Sequence, residues 1–304
     1  MEVKRILITG GSGFVGQSIA KKFAEEGQDV CIFDVSKPDL AYGKYLKSDV
    51  FDIEKLEGAV KDCDIIIHLV GLANAGVAQR EPEKSFRLNI ASLQNVLEVA
   101  RLHGSKKIVI PSSAAVYGIP ETLPIKENFP INTTNIYSWH KHICEQLVKA
   151  YHTNFGLEYV ILRLFNVYGK GNKGVIHLFL TKAIQGEIIE SFGPFQYRDF
   201  VYAGDVAEAF YKSAVYEKAN NKMINIGSGK GTQIKEILEL IREIVPGAQW
   251  IYKKQKFITY DSIADITLAR ILLDYEPQDS KEFMKKIIEE EMLNEVKSIS
   301  AKNH

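Results

Sequence analysis

The sequence predicts an α/β protein: a doubly wound parallel sheet followed by a smaller C-terminal lobe. Three observations predict it. Apolar runs of strand length alternate with apolar residues at helical spacing, the runs are continuous rather than every second residue, and the texture changes after Asn166. Continuous apolar runs mark strands buried on both faces, and strand–helix alternation implies a parallel sheet with helices on either side.

Arg5-Ile6-Leu7-Ile8-Thr9 forms the first run and stops at glycines, after which Val15, Ile19 and Phe23 recur at helical spacing. Further runs cover Asp29 to Asp34, Asp64 to Leu69, Lys107 to Ile110 and Glu158 to Leu164. Between them, Leu93, Val96, Leu97 and Ala100 share one helix face, and Ile143, Leu147, Ala150 and Tyr151 another. Past Asn166, glycines come densely at Gly169, Gly171 and Gly174, then at Gly186 and Gly193. A helix carrying Ile234, Ile237, Leu238 and Ile241 follows Gly227-Ser228-Gly229. Phe283, Ile287, Ile288 and Leu293 pattern a C-terminal amphipathic helix, and the tail from Ser298 is expected to fray. The expected division is residues 1–166 as one domain, with a returning segment near 200–228, and 167–199 with 229–304 as the second lobe.

Lys and Arg number 38 against 38 Asp and Glu, so the net charge is +0, which argues against a nucleic-acid partner held by bulk positive charge. Cys31, Cys63 and Cys144 form no CxxC pair, so neither a disulfide framework nor a structural zinc site is expected. His140 and His142, at i, i+2, face different sides of a helix, so no metal site is expected there either. The N-terminus shows no signal-peptide pattern and the most apolar stretch, Ile65 to Ala78, is too short to span a bilayer. A cytoplasmic protein without membrane attachment is the expectation.

Gly10, Gly13 and Gly16 follow the first strand and open the first helix. Residues without Cβ let the backbone approach a pyrophosphate, and the helix N-terminus offers free N–H groups and partial positive charge. Asp34 ends the second strand, where a carboxylate accepts both hydroxyls of an adenosine ribose and repels a 2′-phosphate, favouring NAD over NADP. By itself such an acid reads as a solvated strand end; after the glycine loop it reads as the ribose acceptor.

Tyr137 and Lys141 stand at i, i+4, on one helix face. A phenol titrates near ~10, and lowering that by ~3 units takes about 4 kcal/mol, which an ammonium and a pyridinium in a dry site can supply. In isolation such a pair reads as a helix-surface contact. Ser112-Ser113 ends the fourth apolar run, where ligands of open α/β sheets sit, and a serine hydroxyl there can steady a proton between phenol and substrate.

The glycine loop, the serine and the Tyr–Lys pair, in this order, resemble the extended short-chain dehydrogenase/reductase family. More narrowly they resemble its NAD-dependent nucleotide-sugar epimerase/dehydratase branch. Further matching segments are Asp49-Val50, His68 to Gly71, Asn89, Ser112 to Gly118, Arg163 to Gly169, Gln196 to Val201, Asp205 to Ala209 and Asn225 to Gly229. The resemblance implies a Rossmann-type domain with a substrate lobe. It implies Ser113, Tyr137 and Lys141 as the catalytic set. It implies NAD held by Gly10, Gly13, Phe14, Val15, Gly16, Asp34, Asp49, Val50, Leu69, Val70, Asn89, Phe165 and the Tyr–Lys pair. Ser113, Asn166, Val175 and Arg198 are implied to meet the nucleotide sugar, Asn166 and Arg198 at its diphosphate. The other reading of Arg198 is an ion pair with Asp199. The resemblance also implies a homodimer through helices near 85–103 and 138–155.

Related 4,6-dehydratases carry an Asp-Glu pair after the serine, and here Ala114-Ala115 stand there. Ser-Ala-Ala-Val-Tyr-Gly is similar to the form in UDP-glucose 4-epimerases, which implies inversion at C4 of a UDP-glucose/UDP-galactose type sugar through a transient 4-keto intermediate. A branch member with net redox, or a non-catalytic NAD-binding scaffold, are the alternatives. The second diphosphate arginine is missing, with Lys254 or Lys256 as point-charge substitutes, and Trp139 and His140 are bulkier than the small residues usual between Tyr and Lys.

Overall fold

The computed structural model describes residues 4–40, 42–61, 63–254, 260–278 and 281–302. In chain order the first half runs β1 (Arg5–Thr9), α1 (Phe14–Glu25), β2 (Asp29–Asp34), β3 (Lys44–Lys47), α2 (Ile53–Val60) and β4 (Ile65–His68). It continues with α3 (Ala75–Arg80), α4 (Pro82–Phe86), a π-helical turn (Arg87–Ala91), α5 (Ser92–His103), β5 (Lys107–Ser113) and α6 (Ile136–Phe155). Then come β6 (Glu158–Leu164), β7 (Asn166–Tyr168), α7 (Val175–Ile184), β8 (Ile189–Phe192), β9 (Tyr197–Arg198) and β10 (Phe200–Tyr202). The chain ends with α8 (Ala203–Val215), β11 (Lys222–Ile226), β12 (Thr232–Gln233), α9 (Ile234–Ile244), β13 (Trp250–Lys253), α10 (Thr267–Leu273) and α11 (Lys281–Lys302).

Among the described residues the main sheet has seven strands in the order β11-β6-β5-β4-β1-β2-β3. Every pairing in it is parallel. Side chains alternate between two cores. Ile6 and Ile8 of β1 join Ile19 and Phe23 of α1 and Phe210 of α8 on one face, while Leu7 joins Leu56 of α2, Leu93 of α5 and Val148 of α6 on the other. Helices therefore cover both faces, as the continuous apolar runs require. A third core joins Phe179 and Leu180 of α7, Ile237 and Ile241 of α9, and Ile287 and Ile288 of α11.

The strand order reverses between β1 and β4, so a crevice opens beyond their carboxyl ends. Two strands of the sheet, β3 and β11, lie outside the apolar runs. The first is a charged edge strand, Lys44-Tyr45-Leu46-Lys47, and its polarity suits an edge. The second returns after α8 to pair with β6.

Two helix faces differ from expectation. On α6, Ile143 and Ala150 are exposed, and the buried side carries Ser138, His140, Cys144, Glu145, Val148 and Tyr151. Buried polar groups on that side mask the apolar period. On α11, Leu293 is exposed while Ile287 and Ile288 are buried, and the helix continues past Ser298 to Lys302.

Candidate active site

A cavity of about 740 Å³ occupies the crevice at the sheet's reversal point and reaches Asn172, Lys173 and Gly174, just before α7. Gly10, Gly13, Phe14, Val15 and Gly16 line it on one side. Gly10 has φ +75°, and a Cβ there would fall 2.7 Å from the Val70 nitrogen. A Cβ at Gly16 would fall 2.6 Å from the Gly10 carbonyl oxygen, so the first turn of α1 packs on the loop itself. Gly13 caps α1 without a side-chain bond, which leaves the helix's first amides facing the cavity.

Asp34 braces this loop. Its Oδ2 accepts the Ser12 N–H at 3.0 Å and its Oδ1 the Ser36 N–H at 2.9 Å. The acid is therefore fixed beside the glycine loop, with lone pairs left for a ribose. A bare-backbone cradle, a helix N-terminus and a fixed carboxylate together fit a dinucleotide with a free 2′-hydroxyl.

Beneath the loop lies His68, fully enclosed. Ser92 Oγ donates its one proton to the Leu88 carbonyl at 2.5 Å, so it can only accept from His68 Nε2 at 3.4 Å. His68 Nδ1 then accepts from the Thr9 hydroxyl at 2.8 Å. Burial, and secondarily the Lys141 ammonium, push the His68 pKa down to about 3, so the ring is neutral.

Asn135 caps α6 by accepting the Ser138 N–H at 3.0 Å, and Ser138 Oγ in turn accepts the Asn135 N–H at 3.2 Å. That cap starts the helix so that its first turns carry Tyr137 and Lys141 into the cavity, with Ser113 of β5 opposite. Lys141 Nζ donates to the Pro111 carbonyl at 3.0 Å. Ala114 and Ala115 line the same cavity. Neither can exchange a proton.

The bulk of His140 has a physical reason. The ring is buried, with Nδ1 2.9 Å from Ser85 Oγ. Ser85 Oγ also accepts from Asn89 Nδ2 at 3.2 Å, and Asn89 Oδ1 accepts the Leu72 N–H at 3.1 Å. The chain of bonds fixes the Gly71–Leu72 turn, which borders the cavity at Gly71. Trp139 points outward and is 52% exposed.

On the far side stand Phe165, Asn166, Asn172, Lys173, Arg198, Tyr260 and Ser262. Arg198 makes no ion pair with Asp199. Asp199 is fully buried and accepts from the Ser228 N–H and hydroxyl, the Gly229 N–H and the Ala264 N–H, at 2.6, 2.8, 3.0 and 3.1 Å. Arg198 is held instead by neutral acceptors, the Tyr197 carbonyl at 3.0 Å, Gln196 Oε1 at 3.1 Å and the Tyr260 carbonyl. Burial pulls its pKa below the usual arginine value, with Tyr260 and Asp261 offsetting part of that. A half-buried cation bonded to neutral oxygens is ready to meet an anion.

Leu69 lines the cavity, whereas Asp34, Asp49, Val50, Val70, Asn89 and Val175 stand outside its lining. Val50 and Val70 pack into the core under α2 and α5, and Val175 against the third core. Lys254 is exposed and away from the lining, and Lys256 lies outside the described residues. The sequence reading missed Lys173, Tyr260 and Ser262, which sit in irregular loops without periodic signal. Among the described residues no three potential metal ligands cluster, and no helix is long and apolar enough to cross a membrane.

The profile of the NAD dependent epimerase/dehydratase family matches residues 6–227. The chain belongs to this family. A relative from Methanocaldococcus jannaschii, provisionally named a UDP-glucose 4-epimerase, is 35% identical over 303 residues, covering 93% of this chain and 97% of the relative. A UDP-N-acetyl-alpha-D-glucosaminuronate decarboxylase from Bacillus cytotoxicus is 30% identical over 260 residues, covering 79% and 80%. The crystal structure of a Thermotoga maritima UDP-glucose 4-epimerase with UDP-glucose superposes with a TM-score of 0.88 at 27% identity, covering 97% of this chain and 99% of that one. Family membership and the cradle agree on NAD as the dinucleotide.

Proposed function

We propose that this protein is an NAD-dependent 4-epimerase of a UDP-glucose/UDP-galactose type sugar. The observation that carries the reading is the cavity lining: Tyr137 and Lys141 share it with the glycine loop, while Ala114 and Ala115 take the place of an acid–base pair. Among the described lining residues there is a hydroxyl base and its cation but no carboxyl group. Such a set can remove and return the proton of a sugar hydroxyl, and it cannot expel water from the neighbouring carbons.

Tyr137 takes the 4-hydroxyl proton of the sugar, Lys141 stabilises the phenolate, and Ser113 donates to the sugar oxygen. Bound NAD supplies a reversible hydride acceptor for C4. The 4-keto sugar turns over in the pocket, and Tyr137 returns its proton to the oxygen of the inverted carbon. Asn166, Arg198 and Lys173 hold the diphosphate, and Lys173 supplies the charge of the missing second arginine. The division into a cofactor domain, 1–166 with 200–228, and a substrate lobe, 167–199 with 229–304, belongs to this reading.

The same reading includes a cytoplasmic homodimer. Trp139 is 52% exposed, Ile143 one turn on is 40% exposed, and Phe86 of α4 is 51% exposed, which gives α6 and its neighbour an apolar outer face. Glutamate at Trp139 and Ile143 is expected to yield monomers in light scattering.

The test is incubation with UDP-, dTDP- and GDP-sugars, with product stereochemistry read by NMR and reduced nicotinamide by absorbance. C4 inversion without accumulating reduced nicotinamide is the expected result. Loss of a C6 carboxyl from a UDP-uronate points to a decarboxylase, steady reduction to a net-redox enzyme, and silence on every sugar with tight NAD binding to a scaffold.

A further inference from the structure

Tyr137, Lys141 and Glu145 stand at successive i, i+4 positions on α6. The first two line the cavity, but Glu145 is fully buried beneath it. Its Oε1 accepts from Ser112 Oγ at 2.6 Å and from Arg163 Nε at 2.8 Å, and its Oε2 accepts from Arg163 Nη2 at 2.8 Å. His142 Nδ1 lies 3.7 Å from Oε2.

Arg163 is 2% exposed and belongs to β6, where it is the lateral partner of Ser112 in the β5–β6 pairing. Its Nη1 donates to the Tyr117 hydroxyl at 3.0 Å and the Glu127 carbonyl at 3.1 Å, and Tyr117 donates to Asn225 Oδ1 of β11 at 2.6 Å. The carboxylate is thus tied to the sheet through three strands. Together with the Lys141–Pro111 bond, it fastens α6 to the end of β5 at two consecutive turns.

Adhesion alone does not require this arrangement. Removing two charges from water is expensive, and well-packed apolar side chains often hold a helix to a sheet as well or better. Apolar contacts, however, tolerate small slides, whereas a forked guanidinium–carboxylate pair with a third bond from a serine has one geometry. Ser112 precedes Ser113, and Glu145 lies two turns from Tyr137. A slide of α6 along β5 changes the distance between the two groups that handle the proton.

We propose that Glu145, gripped by Arg163 and Ser112, is a positioning residue that sets the register of α6 against β5 and so the approach of Tyr137 to Ser113. The proposal rests on the assignment of Tyr137 and Ser113 as the proton-handling pair.

The test compares holoprotein of wild type, the double variant Glu145→Leu/Arg163→Met, and Ser112→Ala with its conservative counterpart Ser112→Thr. The double variant removes both charges at once, and Ser112→Ala cuts only the tie to β5. For the double variant, melting temperature, NAD affinity and KM for the UDP-sugar stay near wild type while kcat falls about 100-fold, the effect of roughly 1 Å of misplacement. Ser112→Ala lowers kcat about 10-fold, in keeping with a part of that misplacement, and Ser112→Thr recovers it. Crystals of the double variant show Tyr137 displaced from Ser113, a readout independent of turnover. A folded double variant with wild-type kcat or an unmoved Tyr137 overturns the proposal. If that variant does not fold, unchanged kcat in Ser112→Ala overturns it. A wild type inactive on every nucleotide sugar is a failure of the reaction assignment instead, and the crystal comparison still decides the clamp.

Discussion

Lys141 reaches back from α6 to the carbonyl of Pro111, two residues before Ser113, at 3.0 Å. The bond couples Lys141 to the strand that presents Ser113, and in the proposed reaction the same lysine also supplies the positive charge beside Tyr137. Lys141→Met removes both roles, and we expect kcat to fall at least about 100-fold. NAD affinity is expected to fall less, because the glycine loop is untouched. Single-turnover kinetics with a bound-NAD assay separate the two.

Gly16 has no room for a side chain, since a Cβ would lie 2.6 Å from the Gly10 carbonyl oxygen and 2.8 Å from the Gly11 Cα. Those atoms are backbone and cannot swing aside. Gly16→Ala is expected to shift the loop, destabilise the protein by about 1–3 kcal/mol and weaken NAD. Thermal melting with and without NAD measures it: the NAD-induced rise should shrink in the variant.

Among the described residues the hydrogen bonds of Arg198 go to neutral acceptors, so truncation strands no described carboxylate. Arg198→Ala is expected to raise the KM for the nucleotide sugar roughly 10- to 100-fold, the worth of about 1.5–3 kcal/mol for a charge-assisted bond. Stability should change little. Lys173→Ala should act in the same direction and make the KM less sensitive to salt. Initial rates at two ionic strengths check both.

His68 is held neutral, with its pKa pushed down to about 3 from an ordinary 6.5. Between these values the unfolded chain takes up a proton that the folded one refuses. Stability is therefore lost as pH falls from 6.5 towards 3, by up to roughly 4–5 kcal/mol. Urea unfolding across this window should show a slope steeper by about one proton in wild type than in His68→Gln. Equal slopes in the two proteins would mean the ring is not kept neutral.

Much of this was legible in the residues. β1, β2 and β6 coincide with apolar runs, and Gly10, Gly13, Gly16, Tyr137, Lys141, Ser113, Asn166 and Arg198 all reach one cavity. Charged edges such as β3 carry no apolar signal, which hid that strand. On α6 the expected apolar face holds at Leu147 and Tyr151, which pack on the core, and fails at Ile143 and Ala150, because Ile143 is apolar yet exposed whereas Glu145 is charged yet buried. A signal for the clamp did exist: Arg163 interrupts a run buried on both faces, and a cation there must have a partner. Lys173 and Tyr260 were invisible because loop residues meet the cavity only through tertiary folding.

The most direct measurement uses UDP-galactose carrying deuterium at C4, with wild type and Tyr137→Phe at equal NAD occupancy. Transient oxidation at C4 predicts UDP-glucose that retains the deuterium at the inverted carbon, and at least about a 1,000-fold slower rate in the phenylalanine variant. Loss of the label to water, or an undiminished rate without the phenol, contradicts the account.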